Sequence, residues 1–505
     1  MEPFVFTFSS KENLKKINRR LKAGSPYSFD AARGDVVSGT VLDTFDNEIQ
    51  LSGRLLLQTD ESLLLINILS GEIAEQAAST WSFLTELEKG PVARSLKGVS
   101  VLRAFIPVSR IKLCRDRVLV LDDEGKTRAR LHWFSFFRKK KSLQLGLTQS
   151  LRGYESTHTG LKKLLSGMGA TPCTRVTDIY SRLGIRTENY IAKPDIKLAP
   201  ESPIKTSATT IIRTYIDVAR QNETGIAVDY DTEFLHDFRV SFRKVRSVLS
   251  LFKGVYGSEQ TEQLKREFAD LMKETNPLRD LDVYLLARDE YFQLIPESSY
   301  EGLRIMFDVI SKEREEEHKK VCKMIKRKFY HQSIEKWVGL FADADKMTTG
   351  TDATKKSSCY VSRLISKRYQ KVCKIARSID ETTADEVVHE LRIHCKKLRY
   401  LMEFSLPFLS KKKVKTLIKS LKVLQDNLGK FNDYSVQQIS LGMFMSEQSM
   451  SRKRGMKVAE SIGALTAMLY QLQCRERNLV MKNFSRFDNE KTRASFAELF
   501  RIEDC

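Results

Sequence analysis

Two segments of the sequence carry basic side chains at the same spacing. They are FLHDFRVSFRKVRS at residues 234–247 and VVHELRIHCKKLRY at residues 387–400. The second repeats the first at an offset of 389 − 236 = 153 positions, which pairs His236 with His389, Arg239 with Arg392, Arg243 with Lys396, Lys244 with Lys397 and Arg246 with Arg399. Guanidinium and ammonium groups make charge-assisted hydrogen bonds to phosphate oxygens, and arginine can make two in parallel. The pattern therefore predicts a polyanion site.

An α-helix would gather these cations on one side. At about 100° per residue, the three arginines of the first segment fall within roughly 80° of His236. The adjacent arc is apolar and holds Leu235, Phe238, Phe242, Val245 and Leu249. Like charges at this spacing destabilise an isolated helix, so the face either binds an anion or is solvated surface. We expect the two faces to meet in a cationic groove, where each histidine either contacts the ligand or orients the arginines.

The offset of 153 continues for about 50 residues without a gap. Further pairs are Leu264/Leu417, Arg266/Lys419, Leu271/Leu424, Asp280/Asp433 and Val283/Val436. A duplication of this length predicts two similar four-helix bundles related by a pseudo-twofold axis. The repeat halves would cover about 205–350 and 355–505 of an all-α region at 205–505.

The first part of the chain has a different sequence pattern, which is typical of β-strands. Alternating apolar residues at 127–134, and a turn at Asp123–Gly125, predict a strand pair; residues 54–69 predict another. Helices are expected around 161–167 and 175–183. Residues 1–195 are thus a predicted antiparallel β-rich domain with a helical tail, and the proline-containing stretch 196–204 is a candidate linker. The fold class is α+β, multidomain.

Net charge, cysteine spacing and the lack of long apolar stretches restrict the classes of function to consider. The formal net charge of +21 over 505 residues favours a polyanionic partner. Eight cysteines without any Cys-x-x-Cys argue against a zinc ribbon or a disulfide framework, and the spacing of His389, His394 and Cys395 does not match a zinc site. No stretch resembles a signal peptide or a membrane span. We predict a cytoplasmic protein without membrane insertion, metal or other cofactor.

The helical region resembles the CHAD family, the conserved histidine α-helical domain. The resemblance rests on the two His-x-x-Arg helices at 236–246 and 389–399, on RDLDV at 279–283, and on LGKFNDYSV at 428–436. It implies two four-helix bundles and a basic central cavity that binds inorganic polyphosphate. The phosphate contacts that it implies are His236, Arg239, Arg243, Lys244, Arg246, His389, Arg392, Lys396, Lys397 and Arg399, with Arg266, Lys419 and Lys422 on the following helices.

The first domain resembles, more faintly, the CYTH family, whose strands form a tunnel- or barrel-type site for triphosphates. The matching segments are LDTFDNEIQLSG at 42–53 and the strand pair that begins at 106. The family's opening Glu-x-Glu-x-Lys is replaced by FVFTFSS, and Arg128 and Arg130 stand where carboxylates would hold the metal. Because triphosphate hydrolysis of that type needs those carboxylates, we expect a degenerate domain without catalytic residues.

The leading hypothesis is therefore an inorganic polyphosphate-binding protein rather than an enzyme, with polyphosphate granules as one candidate location. A CYTH-type triphosphate or polyphosphate phosphohydrolase is the first alternative, and a nucleic-acid-binding protein is the second. The cationic arcs carry no aromatic residue for stacking bases, and the sequence has no zinc-finger, RNP or Walker-type motif.

Overall fold

The computed structural model describes residues 3–8, 14–23, 25, 28–77, 80–187, 189–380, 382–447 and 451–500. The chain divides into two compact units, Met1–Ala192 and Lys193–Cys505. The first unit is built around an antiparallel sheet and the second is helical, which confirms the predicted α+β organisation.

The first unit contains one antiparallel sheet. Its strands are β1 (Phe4–Phe8), β2 (Ser28–Ala32), β3 (Val36–Asp43), β4 (Arg54–Gln58), β5 (Ser62–Asn67), β6 (Ile73–Ala77), β7 (Ile106–Leu121), β8 (Thr127–Arg138), β9 (Lys141–Ser150) and β10 (Thr171–Pro172). Its helices are α1 (Leu14–Ala23), α2 (Glu48–Leu51), α3 (Pro91–Ser95), α4 (Glu155–Gly167) and α5 (Val176–Leu183). Both predicted strand pairs are present, as β4–β5 and β7–β8, and Gly125 has the positive φ of 76° that the second turn requires.

The strand order is β10-β1-β9-β8-β7-β3-β4-β5-β6, and β2 pairs with β7. Among the strands that the structure describes, this path has two ends, at β10 and β6. One face carries a large apolar cluster that runs from Val5 on β1 to Ile66 on β5, and α5 packs Ile179 and Leu183 into it. Apolar side chains therefore fill this face of the sheet.

The second unit consists of helices joined by short connections. They are α6 (Ile204–Gln221), α7 (Glu223–Val228), α8 (Thr232–Leu251), α9 (Ser258–Glu274), α10 (Asn276–Leu286), α11 (Arg288–Leu294), α12 (Tyr300–Lys326), α13 (Lys328–Leu340), α14 (Ser357–Arg377), α15 (Asp385–Ser405), α16 (Lys411–Glu447), α17 (Arg452–Phe487) and α18 (Glu490–Leu499). None of the helices in the described ranges is long and apolar enough to cross a membrane.

The duplication is visible in the helix boundaries. Three helix starts are offset by the same number: 357 − 204, 385 − 232 and 411 − 258 each equal 153. In the first half α6 packs on α8 and α8 on α9; in the second half α14 packs on α15 and α15 on α16. The halves contact each other through α8 and α15 and through α12 and α17.

One difference between the halves bears on the site. The first half has a break between α9 and α10, where Thr275 ends one helix and Pro277 lies in the first turn of the next. Proline has no N–H to continue the helical ladder, so the chain starts a new helix there. At the corresponding position of the second half, α16 runs unbroken through Lys430, since 277 + 153 = 430.

Candidate anion-binding site

The apolar faces of α8 and α15 anchor the cationic faces beside them. The five apolar residues predicted to form the packed arc of α8 are all buried, at 3% exposure or less. On α15 the buried residues are Val388, Leu391, Cys395, Leu398, Leu401, Met402, Phe404 and Ser405. Burial of these side chains fixes the rotation of both helices about their axes, so the predicted amphipathic pattern is confirmed.

Cations from the two repeats lie close enough to affect one another. Burial is the main cause of the lowered pKa of Arg392 and of Lys396 on α15. Arg243, which is exposed on α8, lowers both pKa values further. In the reverse direction, Arg399 of α15 contributes to the lowered pKa of Lys244, after burial. The sequence predicted that the two faces would meet, and the packing of α8 on α15 brings them together. We call Arg239, Arg243, Arg392, Lys396 and Arg399 the paired cationic face.

Lys396 shows the cost of this arrangement most clearly. Burial, followed by repulsion from Arg392 and Arg243, lowers the pKa of Lys396 to about 8. Asp433 opposes this shift and Arg399 adds to it. No hydrogen bond or ion pair of the Lys396 amine is found within the described part of the chain. An anion placed here would remove the repulsion and supply an acceptor.

Arg239 is held by the end of α9. Its guanidinium donates to the Met272 carbonyl at 2.9 Å, to Thr275 Oγ1 at 2.5 Å and to Asn276 Oδ1 at 2.6 Å. Because α9 ends before Pro277, no further helical turn supplies N–H donors to these acceptors at its C-terminus. A cation at this end of the helix also interacts favourably with the helix dipole. Burial lowers the pKa of Arg239 to about 10. Most of its hydrogen-bonding capacity is thus used within the fold.

Arg392, its counterpart in the second repeat, has no such anchor because α16 is unbroken. Its guanidinium lies 3.5 Å from Asp433 Oδ1, whose side chain is 62% exposed. Its Nε is buried without a hydrogen-bond partner in the described residues. Two arginines that are equivalent by sequence therefore differ: Arg239 supports the fold, whereas Arg392 keeps unused donors.

The two histidines lie at the start of each cationic face. His389 is exposed, and its Nδ1 lies 2.7 Å from Asn432 Oδ1, which leaves Nε2 as the outward nitrogen. His236 is partly buried. The first repeat has Arg279 where the second has Asn432, since 279 + 153 = 432.

Arg279 is a candidate that sequence reasoning did not single out. It lies close enough to Arg239 and Asp280 to influence both side chains electrostatically. Its Nη1 is buried and unpartnered within the described ranges. Its place as the first residue of RDLDV, on α10, which packs on α8, was the signal that could have identified it.

Other residues predicted to contact phosphate interact instead with side chains of this same chain. The Lys244 amine is 6% exposed and lies 2.9 Å from the Tyr215 hydroxyl, so it points to the interior. Arg246 packs on Met272. Arg399, although it belongs to the paired cationic face, also pairs with Glu403 at 2.8 Å. Lys397 lies near Arg368 rather than near Arg243. The remaining predicted contacts are exposed on α9 and α16: Arg266, Lys419 and Lys422.

Asp43, in the segment 42–53 that resembles the CYTH family, has a structural role. The Asp43 carboxylate is buried and accepts hydrogen bonds from the backbone amides of Thr44, Ile49 and Gln50 at 2.8–3.0 Å. Burial raises the pKa of Asp43 to about 6 despite these bonds. Arg128 pairs with Asp122. In the described residues no three His, Cys, Asp or Glu side chains are grouped so that they could hold a metal ion.

Comparison with known proteins places part of this chain in a family. Residues 210–442, 233 of the 505, match the sequence model of the CHAD domain. The helical unit therefore contains a CHAD domain, which confirms that part of the sequence-based prediction; the CYTH-like resemblance of the first unit is not confirmed.

Two solved structures are similar to the chain. The crystal structure of the CHAD domain from the plant Ricinus communis is 19% identical, with a TM-score of 0.47, over 60% of this chain and 95% of that one. PptA from Streptomyces chartreusis is 12% identical, with a TM-score of 0.45, over 56% of this chain and 100% of that one. No curated protein sequence matches the chain.

Proposed function

We propose that the helical unit binds inorganic polyphosphate on the paired cationic face and performs no catalytic step. The observation that carries this proposal is the packing of α8 on α15, which brings cations from both repeats together; Arg243 lies near enough to Arg392 and Lys396 to contribute to their lowered pKa. The CHAD domain at 210–442 supports it, because that family is associated with polyphosphate. A polyphosphate chain offers a row of anionic oxygens and no other recognition group, which is the ligand that such a face suits.

The roles of the individual residues follow from their contacts. Arg392 and Lys396 supply unused donors at the centre, and Arg243 reaches the same region from α8. Arg239 fixes the end of α9 against α8, and Arg279 adds a second, partly buried guanidinium near it. His389 extends the face at its exposed end. Neither a metal nor another cofactor enters this account.

The cytoplasm is the proposed location, with polyphosphate granules as a specific hypothesis. Co-localisation of the fluorescently tagged full chain with a polyphosphate stain would test it. A tagged Arg392→Gln/Lys396→Gln chain should lose any granule signal while keeping its abundance, and an unchanged signal would reject binding at the paired cationic face as its cause.

Binding itself is tested by calorimetric titration with long-chain polyphosphate at stated salt concentrations. We expect affinity to fall steeply as salt rises, because bound phosphates release counterions. Duplex DNA and single-stranded RNA at equal phosphate concentration should displace the polymer poorly. Ready displacement by either nucleic acid would favour the nucleic-acid-binding alternative, and phosphate release from triphosphate or polyphosphate would favour the phosphohydrolase.

Affinity should also depend on pH through Lys396. Below about pH 8 its amine is already charged; above that pH the free protein loses the proton, and binding must take it up again. We therefore expect polyphosphate affinity to decrease as pH rises from about 7 to 9. Titrations at pH 8 in buffers of different ionisation enthalpy should show net proton uptake on binding, and Lys396→Arg should abolish that uptake. Uptake that persists in Lys396→Arg would assign the proton to another group.

A further inference from the structure

A second group of cations lies between α14 and α15. It consists of Arg368 on α14, His394 and Lys397 on α15, and Lys253 in the connection after α8, and we call it the Arg368 cluster. Lys397 projects about 100° around α15 from Lys396, so the cluster and the paired cationic face lie on different sides of this helix. The Tyr360 hydroxyl of α14 donates to the Lys253 carbonyl at 2.6 Å, which fixes the connection against α14.

A hydrogen bond between two basic side chains organises the cluster. Arg368 Nη1 donates to His394 Nδ1 at 2.7 Å, so this imidazole nitrogen must be the acceptor and the ring is neutral. Burial, followed by Arg368 and Lys397, lowers the pKa of His394 to about 4. The other ring nitrogen lies 3.6 Å from Glu390 and is therefore at the edge of the cluster.

The Arg368 guanidinium and the Lys397 amine keep their positive charges without a paired carboxylate among the residues that the structure describes. Burial lowers the pKa of Arg368, and burial together with Arg368 and Lys253 lowers the pKa of Lys397. Neither side chain makes an ion pair with a carboxylate in the described residues. Two acids lie near the cluster: Glu390 is 3.4 Å from Lys371, which itself adds positive charge near His394, and Glu262 pairs with Lys265 at 2.7 Å, with Lys253 a smaller contributor to its lowered pKa.

The first repeat shows how the same positions are satisfied without a ligand. Subtracting 153 from Arg368, His394 and Lys397 gives Tyr215, Ser241 and Lys244. There the Lys244 amine lies 2.9 Å from the Tyr215 hydroxyl and 4.3 Å from its ring centre, a buried contact between a cation and an aromatic face. The second repeat puts a guanidinium in place of that ring. Arg368 therefore repels Lys397 at the place where Tyr215 attracts Lys244 in the first half.

We propose that the Arg368 cluster binds a phosphate-class oxyanion, held by the Arg368 guanidinium and the Lys397 and Lys253 amines. His394 keeps the guanidinium in place and leaves its other donors for the anion, as bidentate recognition of a phosphate requires. The oxyanion is either free phosphate or a phosphate group of a longer polyanion. This site does not rest on the function proposed for the paired cationic face.

The test uses the full chain with Arg392→Gln and Lys396→Gln, so that the paired cationic face is disabled. Nuclear magnetic resonance at pH 7 would follow the His394 ring and Arg368 guanidinium signals during titration with inorganic phosphate, and separately with tripolyphosphate. Sodium chloride at equal ionic strength controls for screening. His394→Ser, the residue of the first repeat, assigns the ring signal.

We expect saturable shifts of both signals that chloride does not produce. Shifts with inorganic phosphate identify a free-phosphate site, and shifts with tripolyphosphate alone identify a site for a group of a longer chain. Arg368→Tyr recreates the Tyr215–Lys244 pair and should weaken binding at least tenfold, whereas Lys367→Gln, an exposed charge loss on the same helix, should not. Lys397→Gln provides a second variant should Arg368→Tyr unfold. Signals that move equally in chloride and in both phosphates would overturn the proposal, whatever the paired cationic face binds.

Discussion

Replacing Arg392 and Lys396 together with glutamine is expected to weaken polyphosphate binding by about 100-fold or more. Each charged hydrogen bond contributes about 1.5–3 kcal/mol, and every 1.4 kcal/mol is a factor of ten in affinity. On the paired cationic face, Lys396 has no hydrogen bond or ion pair in the described residues, and Arg392 has one long contact to Asp433 and a buried Nε without a partner there. The measurement is a calorimetric titration of both proteins with long-chain polyphosphate at one fixed salt concentration.

A matched control removes the same charge elsewhere. Lys312 and Lys323 are exposed on α12, and the variant Lys312→Gln/Lys323→Gln also lowers the net charge by two. It should bind within about threefold of the parent, since it changes only screened, long-range attraction. Equal losses in the two double variants would mean that net charge rather than this face governs binding. Thermal unfolding of each variant shows whether the fold is retained.

The second large expected effect is a difference in stability between variants of two arginines that occupy equivalent positions in the repeats. We expect Arg239→Gln to lower the free energy of unfolding by about 2–4 kcal/mol, because it removes charged hydrogen bonds to two partly buried acceptors at the end of α9, the Met272 carbonyl and Thr275 Oγ1, and a third to the exposed Asn276. Arg392→Gln should change it by less than about 1 kcal/mol, since that side chain has one long contact to an exposed carboxylate. Urea unfolding of the full chain, followed by the helical signal, measures both.

For polyphosphate affinity we expect the opposite ranking of the two variants from that expected for stability. Arg392→Gln should reduce polyphosphate affinity more than Arg239→Gln does, provided that binding is measured where both variants are folded. Similar losses of stability in the two variants would contradict the view that the break before Pro277 commits Arg239 to the fold. A larger loss of affinity in Arg239→Gln would place the ligand on the first repeat instead.

Much of the helical unit could be predicted from its sequence because the same pattern occurs twice. The packed arc of α8, from Leu235 to Leu249, follows from helical periodicity, and the offset of 153 carries it to α15. The strand pairs β4–β5 and β7–β8 follow from alternation and from the turn at Gly125. These features depend on local spacing, which a sequence displays directly.

What the sequence could not show depends on contacts between distant segments. Lys244 and Lys397 occupy equivalent positions, yet one packs on Tyr215 and the other lies beside Arg368, because α14 has Arg368 where α6 has Tyr215. The fixed geometry of Arg239 requires knowledge of where α9 ends relative to α8. The apolar filling of the first unit's sheet depends on the placement of α5, which no local pattern specifies.

The most direct test of one site built from both repeats is the pKa of Lys396. Reductive methylation with ¹³C, with Lys396→Arg to assign the signal, allows that pKa to be followed in the full chain. We expect a value near 8 in the free protein. It should rise in Arg243→Gln, where the charge from the other repeat is absent, and rise again when polyphosphate is added. A Lys396 pKa near 10.5 that neither change moves would contradict a shared site between the repeats.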